Sequence, residues 1–235
     1  MSSQKILITG ASSGIGKDAA LQLSRRPGLQ LALTGRNQAR LEETAAACEG
    51  TPAVFVGDLT KPGLAEEITA QAEEAMGGLD GLIHCAGEGL IRPLKDTTDA
   101  EFSRLLNTNL RVAFLCVQAA AHRMASHKKG RILALPGVLG KFPMKATAAY
   151  SASKFGLSGL LKVVATEYQR QGVQVIQVYS GGVDSPFWDE LDMKVQRDKM
   201  IPSAVIAEHI ASAMTAPAHL VTTELVIQPD SHLFL

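Results

Sequence analysis

The chain has 235 residues, 46% of them hydrophobic, and its 23 basic and 23 acidic residues leave a formal net charge of zero. This length fits one large α/β domain. The balanced charge gives no reason to expect nucleic acid or an anionic membrane as a partner. The sequence contains no run of about 18 apolar residues that would predict a membrane-spanning helix. The N-terminus also lacks the hydrophobic segment of a secretory signal, so we expect a cytoplasmic protein.

The three cysteines, Cys48, Cys85 and Cys116, lie far apart in the sequence. Structural zinc sites use Cys or His ligands in closely spaced pairs, and this sequence contains no such pairs. We therefore expect three reduced thiols in a reducing compartment and no bound metal.

Apolar segments typical of buried strands alternate with segments typical of helices along the whole chain. We predict strands at Lys5–Thr9, Leu29–Thr34, Ala53–Gly57, Leu79–Cys85, Arg131–Leu135, Val173–Tyr179 and Val221–Ile227. We predict helices at Gly14–Ser24, Asn37–Ala47, Gly63–Ala75, Ala100–Ser126 (long enough to contain a break), Ala149–Gln171 and Ser203–Met214. Strands that alternate with helices predict parallel βαβ units. The expected fold is α/β, a Rossmann-type, doubly wound parallel sheet of about seven strands, in a single domain that spans residues 1–235.

Residues 181–202 are the longest stretch without clear periodicity, and they carry Phe187 and Trp188. Long segments of this kind in compact domains are usually functional. We predict a substrate loop that covers a pocket, and the alternative is a surface loop with one short helix.

A glycine-rich turn joins the first predicted strand to the first predicted helix. It reads Thr9-Gly10-Ala11-Ser12-Ser13-Gly14-Ile15-Gly16. Glycines let the backbone turn tightly and approach a pyrophosphate closely, and the helix N-terminus offers free N–H groups to that anion. Because the turn lies between a strand and a helix at the start of the chain, it predicts a dinucleotide-binding site.

The T-G-A-S-S-G-I-G turn resembles the cofactor loop of the classical short-chain dehydrogenase/reductase family, and later motifs of the chain follow that family's order. Asp58-Leu59 resembles the family's contact to adenine; the alternative for Asp58 is a cap of a helix starting at Lys61. Two further motifs of that family occur here with several residues changed. They are His84-Cys85-Ala86-Gly87 and Ser180-Gly181-Gly182-Val183-Asp184-Ser185. The resemblance implies nicotinamide cofactor contacts at Gly10, Ser12, Ser13, Gly14, Ile15, Gly16, Arg36, Asp58, Leu59, Ala86, Gly87, Tyr150, Lys154, Gly181 and Val183.

The residue that recognises the adenosine ribose should follow the second predicted strand. Relatives that prefer NAD carry an aspartate there, whereas this chain has Gly35 followed by Arg36. A guanidinium pairs well with a phosphate, and Thr34 or Asn37 could add hydrogen bonds. We predict a preference for NADP(H); the alternative is an arginine that stacks on adenine without selectivity.

Tyr150-Ser151-Ala152-Ser153-Lys154 places a tyrosine and a lysine four residues apart, on one face of a predicted helix. It resembles the family's catalytic pair, in which the tyrosine transfers a proton and the lysine holds the nicotinamide ribose. A neighbouring ammonium should lower the pKa of the Tyr150 phenol. Asn109 resembles the family asparagine of the proton relay, and the alternative is a polar helix residue bonded to backbone.

The family's catalytic serine is absent. It should lie about 13 residues before the tyrosine, where this chain has Gly137 after Pro136. One hydrogen-bond donor to the developing oxyanion is therefore missing, which typically costs roughly 100-fold or more in rate. Ser180 or Thr147 is our candidate replacement for the hydroxyl. His84 is a candidate for a replacement proton carrier. The alternative is that His84 is simply hydrogen-bonded near the sheet.

The leading hypothesis is an NADP(H)-dependent oxidoreductase acting on a small carbonyl or alcohol. Its pocket should be moderately apolar, with Leu90, Val138, Phe142, Met144, Phe187 and Trp188 nearby. The alternative is a cofactor-binding sensor or scaffold with weak or no turnover. The helix at Ala149–Gln171 is apolar around more than one face, so we also predict a homodimer or homotetramer.

Overall fold

A computed structural model describes residues 3–191 and 194–231. Its strands are β1 (Gln4–Thr9), β2 (Leu29–Gly35), β3 (Ala53–Val56), β4 (Gly81–His84), β5 (Gly130–Ala134), β6 (Val173–Ser180), β7 (Val183–Asp184), β8 (Ile201–Pro202) and β9 (Glu224–Ile227). Its helices are α1 (Gly14–Ser24), α2 (Gln38–Ala47), α3 (Leu64–Met76), α4 (Asp99–Leu105), α5 (Val112–Ser126), α6 (Ala148–Tyr168) and α7 (Ser203–Met214). Residues 192 and 193 of the predicted substrate loop lie outside the described residues.

Seven parallel strands form the central sheet in the order β3-β2-β1-β4-β5-β6-β9, which confirms the doubly wound α/β fold. The chain reverses its direction of progress across the sheet between β1 and β4, and ligands bind at such switch points, outside the carboxyl ends of the strands. The short strands β7 and β8 pair separately at the base of the 181–202 loop.

Alternate residues of each central strand enter two different cores. In β1, Leu7 packs with residues of α3, α5 and α6, whereas Ile6 and Ile8 pack with residues of α1 and α7. Because both faces of the sheet are covered by helices, its strands need apolar residues at successive positions. The sheet is therefore fixed from both sides, which holds its carboxyl edge in place.

Some element boundaries differ from the predicted ones. The predicted helix Ala100–Ser126 is interrupted by a π-helical segment, Leu106–Arg111, between α4 and α5. The strand expected at Val221–Ile227 begins only at Glu224. Across residues 3–191 and 194–231, no helix combines the length and apolarity needed to cross a bilayer.

Arg131 at the start of β5 is a buried cation that stabilises the end of α7. Only 8% of the residue is exposed. Its guanidinium donates to the carbonyl oxygens of Met214 (2.9 Å) and Pro217 (3.0 Å) and to Oε1 of Gln174 (3.0 Å). The carbonyls at the C-terminus of a helix lack intrahelical partners, so Arg131 satisfies groups that burial would otherwise leave unpaired.

Candidate functional site

A cavity of about 880 Å³ lies at the carboxyl edge of the sheet, around the switch point. Every residue expected to contact the cofactor lines this cavity. Among the expected catalytic residues, Tyr150 and Lys154 line it, and Asn109 does not. The fold therefore brings together motifs that are far apart in the sequence.

The β1–α1 turn is shaped by glycines that no other residue replaces easily. Gly10 and Gly14 have φ angles of +68° and +51°. A Cβ atom on Gly10 would lie 2.8 Å from the backbone nitrogen of Ala86, and one on Gly16 would lie 2.3 Å from the carbonyl oxygen of Gly10. Ser13 precedes α1 without making a side-chain capping bond to it. The first turn of α1 thus offers backbone N–H groups to an anion in the cavity.

Two arginines lie where β2 meets α2. Arg36 and Arg40 are both exposed and both line the cavity. Neither guanidinium lies within ion-pair distance of an acidic side chain in the described part of the chain. The sequence predictions did not include Arg40, which lies in the first turn of α2, three residues after the capping residue Asn37.

Of the other two residues proposed near the ribose, Asn37 lines the cavity and Thr34 does not. The Thr34 side chain is fully buried, and its hydroxyl has no partner within the described residues. Asn37 uses its side-chain oxygen to accept the Arg40 amide at 3.0 Å, which caps α2. The expectation for Thr34 was wrong because tertiary packing turns its side chain into the core.

Asp58 follows β3 and accepts hydrogen bonds from the hydroxyl (2.8 Å) and the amide (3.1 Å) of Thr60. These bonds stabilise the carboxylate and lower the pKa of Asp58. Helix α3 begins at Leu64 after Gly63, so Asp58 is not its cap. The turn instead holds Asp58 and Leu59 at the cavity wall.

Tyr150 and Lys154 lie one turn apart near the start of α6. The Lys154 Nζ atom is 5.7 Å from the centroid of the Tyr150 ring and donates to the carbonyl oxygen of Leu135 at 2.9 Å. Burial lowers the pKa of Lys154 to about 8. Burial also raises the pKa of Tyr150, which corrects the expectation that Lys154 would lower it. Removing a phenolate from water disfavours its charged form, and an ammonium at this distance does not offset that cost.

Asn109 lies in the π-helical segment and fastens the loop after β4. Its Oδ1 accepts the Glu88 amide (2.8 Å), and its Nδ2 donates to the Glu88 carbonyl (2.9 Å) and to Oγ of Ser153 (3.0 Å). A Cβ atom on Gly87 would lie 3.1 Å from Oδ1 of Asn109 and 3.6 Å from Nζ of Lys154. Asn109 therefore lies close to Lys154, although its side chain bonds mainly to backbone, as the alternative interpretation expected.

Known proteins resemble this chain along most of its length. The short chain dehydrogenase family profile matches residues 4–196. The chain belongs to the short-chain dehydrogenase family. It is 29% identical to the sepiapterin reductase of Chlorobaculum tepidum, with 96% of both chains covered. It is 35% identical to a short-chain dehydrogenase/reductase of Armillaria gallica over 79% of this chain and 73% of that relative. A metagenomic short-chain oxidoreductase solved in complex with NADP superposes with a TM-score of 0.83 at 29% identity, covering 97% of this chain and 98% of that one.

Within this short-chain dehydrogenase, Gly137 occupies the position at which the resemblance implies a serine. Its φ of +67° and ψ of 174° form a conformation that strains any residue except glycine. The backbone conformation at this position therefore favours glycine over serine. Ser180, at the end of β6, lines the cavity.

Thr147, the other candidate for the missing hydroxyl, is 1% exposed. Its hydroxyl donates to the Met144 carbonyl at 2.7 Å and shares a hydrogen bond with the Ser151 hydroxyl at 2.8 Å. Thr147 therefore stabilises the loop before α6 and does not line the cavity.

His84 ends β4 and is 1% exposed. Its Nδ1 lies 2.9 Å from the Thr9 hydroxyl, and its Nε2 has no partner among the described residues. Burial and the nearby Lys154 charge lower the pKa of His84 to about 3. So weak a base is a poor proton carrier near neutral pH, which favours the alternative of a hydrogen-bonded histidine next to the sheet.

Aromatic residues of the 181–202 loop cover Tyr150. The Phe187 ring lies 6.1 Å from the Tyr150 ring and meets the Trp188 ring edge-on at 5.3 Å. The Trp188 indole N–H donates to the Val183 carbonyl at 2.8 Å. A Cβ atom on Gly89 would lie 2.2 Å from Cζ of Phe187, so the Phe187 ring packs directly on the loop after β4.

The lining of this end of the cavity was partly predicted. Val138, Met144, Phe187 and Trp188 line it as expected. Leu90 and Phe142 do not line it themselves, but Ile91, next to Leu90, and Leu139, three residues before Phe142, do. Periodicity does not determine which side chain of an irregular loop faces a cavity.

Proposed function

We propose that this protein is an NADP(H)-dependent oxidoreductase that interconverts a small carbonyl compound and its alcohol, with Tyr150 as the general acid and base. The observation that carries this proposal is the position of Tyr150 and Lys154 in the same cavity as the glycine-rich turn. When bound, the reduced nicotinamide supplies a hydride to the carbonyl carbon. The electron pair of the C=O bond then moves to oxygen, which takes the proton of the Tyr150 hydroxyl.

The residues of the cavity fit such a cofactor. The close approach of Gly10 to Ala86 leaves a backbone cradle that any Cβ atom would fill, and the N-terminus of α1 would hold the pyrophosphate. Lys154 in its ammonium form would bind the nicotinamide ribose and stabilise the phenolate that remains after proton transfer. Asn109 would act through Glu88 and Ser153, by holding the loop and helix that border the nicotinamide end.

Arg36 and Arg40 support a preference for NADP over NAD. Two exposed guanidinium groups that pair with no acidic side chain of residues 3–191 and 194–231 would attract a 2′-phosphate, and position 35 carries a glycine and not an acid that would repel it. The metagenomic short-chain oxidoreductase, 29% identical to this chain, was solved in complex with NADP.

The 181–202 loop would act as the substrate loop, and the aromatic and aliphatic lining near Tyr150 suits a moderately apolar substrate. Exposed apolar side chains on α4, α5 and α6, namely Phe102, Phe114, Phe155 and Val163, would mediate a homodimer or homotetramer. Light scattering at micromolar concentration tests the assembly, and a monomer would contradict it.

Tyr150→Phe tests the chemical role directly. We expect carbonyl reduction to fall by about 1,000-fold, because the proton donor is lost, with NADPH affinity unchanged. The assay follows NADPH absorbance with a panel of simple aldehydes and ketones, and a titration measures affinity. Tyr168→Phe, on the same helix, is the matched control and should retain full activity. Equal activity in the two variants would contradict the proposal.

Gly137 favours one second candidate, a cofactor-binding sensor or scaffold with little turnover. Replacing Gly137 with serine discriminates poorly between the two functions, because its φ of +67° would strain the new residue. Single-turnover reduction by wild-type protein saturated with NADPH is a better test. Tight NADPH binding without oxidation by any carbonyl would favour the sensor.

A further inference from the structure

The turn that should carry the catalytic serine packs against the end of β6. The Gly137 amide donates to the Val178 carbonyl at 3.0 Å. A Cβ atom on Gly137 would lie 3.5 Å from the carbonyl oxygen of Ser180, and one on Gly181 would lie 2.8 Å from Cγ1 of Val138. Ser180 is therefore a hydroxyl-bearing residue whose backbone lies immediately beside the position that lacks a hydroxyl.

Ser180 also presents its hydroxyl differently from its competitor. It is partly exposed and lines the cavity that contains Tyr150 and Phe187. Within the described ranges, no group hydrogen-bonds to the Ser180 hydroxyl. The Thr147 hydroxyl, by contrast, is buried and already engaged with Met144 and Ser151. Of the two candidates, Ser180 alone is available to a substrate.

We propose that the Ser180 hydroxyl donates a hydrogen bond to the substrate carbonyl oxygen and so supplies, from β6, the donor that Gly137 lacks. This inference rests on the proposed function. During reduction Ser180 keeps its own proton and stabilises the charge that develops on the oxygen, while Tyr150 transfers the proton that forms the alcohol. A donor aimed at developing charge in a dry site has a large effect on rate.

The test compares Ser180→Thr with Ser180→Val, because threonine and valine have nearly the same shape and differ in the hydroxyl. We expect the threonine variant to keep kcat within about fivefold of wild type and the valine variant to lose about 100-fold. NADPH affinity should be equal in wild type and both variants. Ser180→Ala removes the hydroxyl without adding bulk and should show the same loss as valine. Ser103→Ala, on the exposed surface of α4, should behave as wild type.

Two results would overturn the inference. Equal losses for threonine and valine would assign the effect to shape, and wild-type rates in the alanine variant would remove any role for the hydroxyl. Failure of the proposed function is distinguishable, because it would appear as absent NADPH binding or absent turnover in the wild-type protein.

Discussion

The two ends of the cavity are built by different means. At the β1–α1 turn, a Cβ atom added to Gly10 or Gly16 would lie 2.8 Å or less from a backbone atom. The turn therefore has room for glycine only at these two positions. At the opposite end, side chains such as Val138, Met144 and Phe187 line the cavity, and Gly137 lies where the family resemblance leads us to expect a serine. A backbone cradle tolerates almost no substitution, whereas a side-chain donor can be supplied from a neighbouring strand. Binding of a dinucleotide is therefore expected to be more robust than the detailed chemistry.

The strongest test of the cradle is Gly16→Ala. The new Cβ would lie 2.3 Å from the Gly10 carbonyl oxygen and must displace the turn, so we expect at least about 100-fold weaker NADPH binding. Gly159→Ala is the matched control, because a Cβ there meets nothing within 4 Å and helix propensity favours alanine. Titration with NADPH measures both variants. Unaltered affinity in Gly16→Ala would contradict a backbone-built site.

Under the proposed function, the Arg36 and Arg40 side chains would also bind the cofactor. We expect Arg36→Ala and Arg40→Ala each to weaken NADPH binding by roughly 10-fold, since a charged hydrogen bond at an exposed site is lost. NADH binding should change little, because it lacks the 2′-phosphate. Arg25→Ala, exposed at the end of α1, is the control. Parallel losses for both coenzymes would refute the assigned role in selectivity.

The nicotinamide end should respond to pH through Lys154. Burial lowers the pKa of this group to about 8, so its ammonium form predominates below that pH and is lost above it. We expect kcat/KM for carbonyl reduction to fall above about pH 8, approaching 10-fold per pH unit. Lys154→Arg keeps its charge and should shift this decline upward by more than one pH unit, even at reduced activity. A wild-type profile that stays flat from about pH 7 to 9.5 would contradict this role of Lys154.

The smallest effect is expected in the substrate loop. Trp188→Phe removes the 2.8 Å hydrogen bond to the Val183 carbonyl while retaining an aromatic ring beside Phe187. A neutral hydrogen bond contributes about 1 kcal/mol, so we expect KM for bulky carbonyls to rise about fivefold with NADPH affinity unchanged. Steady-state kinetics on a series of increasing ketone size would measure this. A change in NADPH affinity instead would place Trp188 at the cofactor.

Much of the fold and the conformation of the glycine-rich turn could be predicted because the relevant signals are local. Strand β1, the glycine turn and helix α1 are consecutive, and their residue types carry their own conformational requirements. The burial of Thr34, the inward-facing His84 and the role of Arg40 could not be predicted in this way. They depend on which strands and helices become neighbours. The same is true of the Tyr150 pKa, which burial raises against the expectation from the adjacent lysine.

Alternating strand and helix patterns were enough to predict the doubly wound sheet. Short motifs were enough to place the glycine-rich turn between β1 and α1, and Tyr150 and Lys154 on one helix, since periodicity and spacing are properties of the chain alone. Only the packed molecule placed Ser180 beside Gly137 and left Thr147 enclosed, because residues 43 positions apart meet when β6 aligns beside the end of β5. The conformational requirements of single residues, such as the glycines of the turn, can be inferred from the sequence. Proximity between distant residues is decided by tertiary packing.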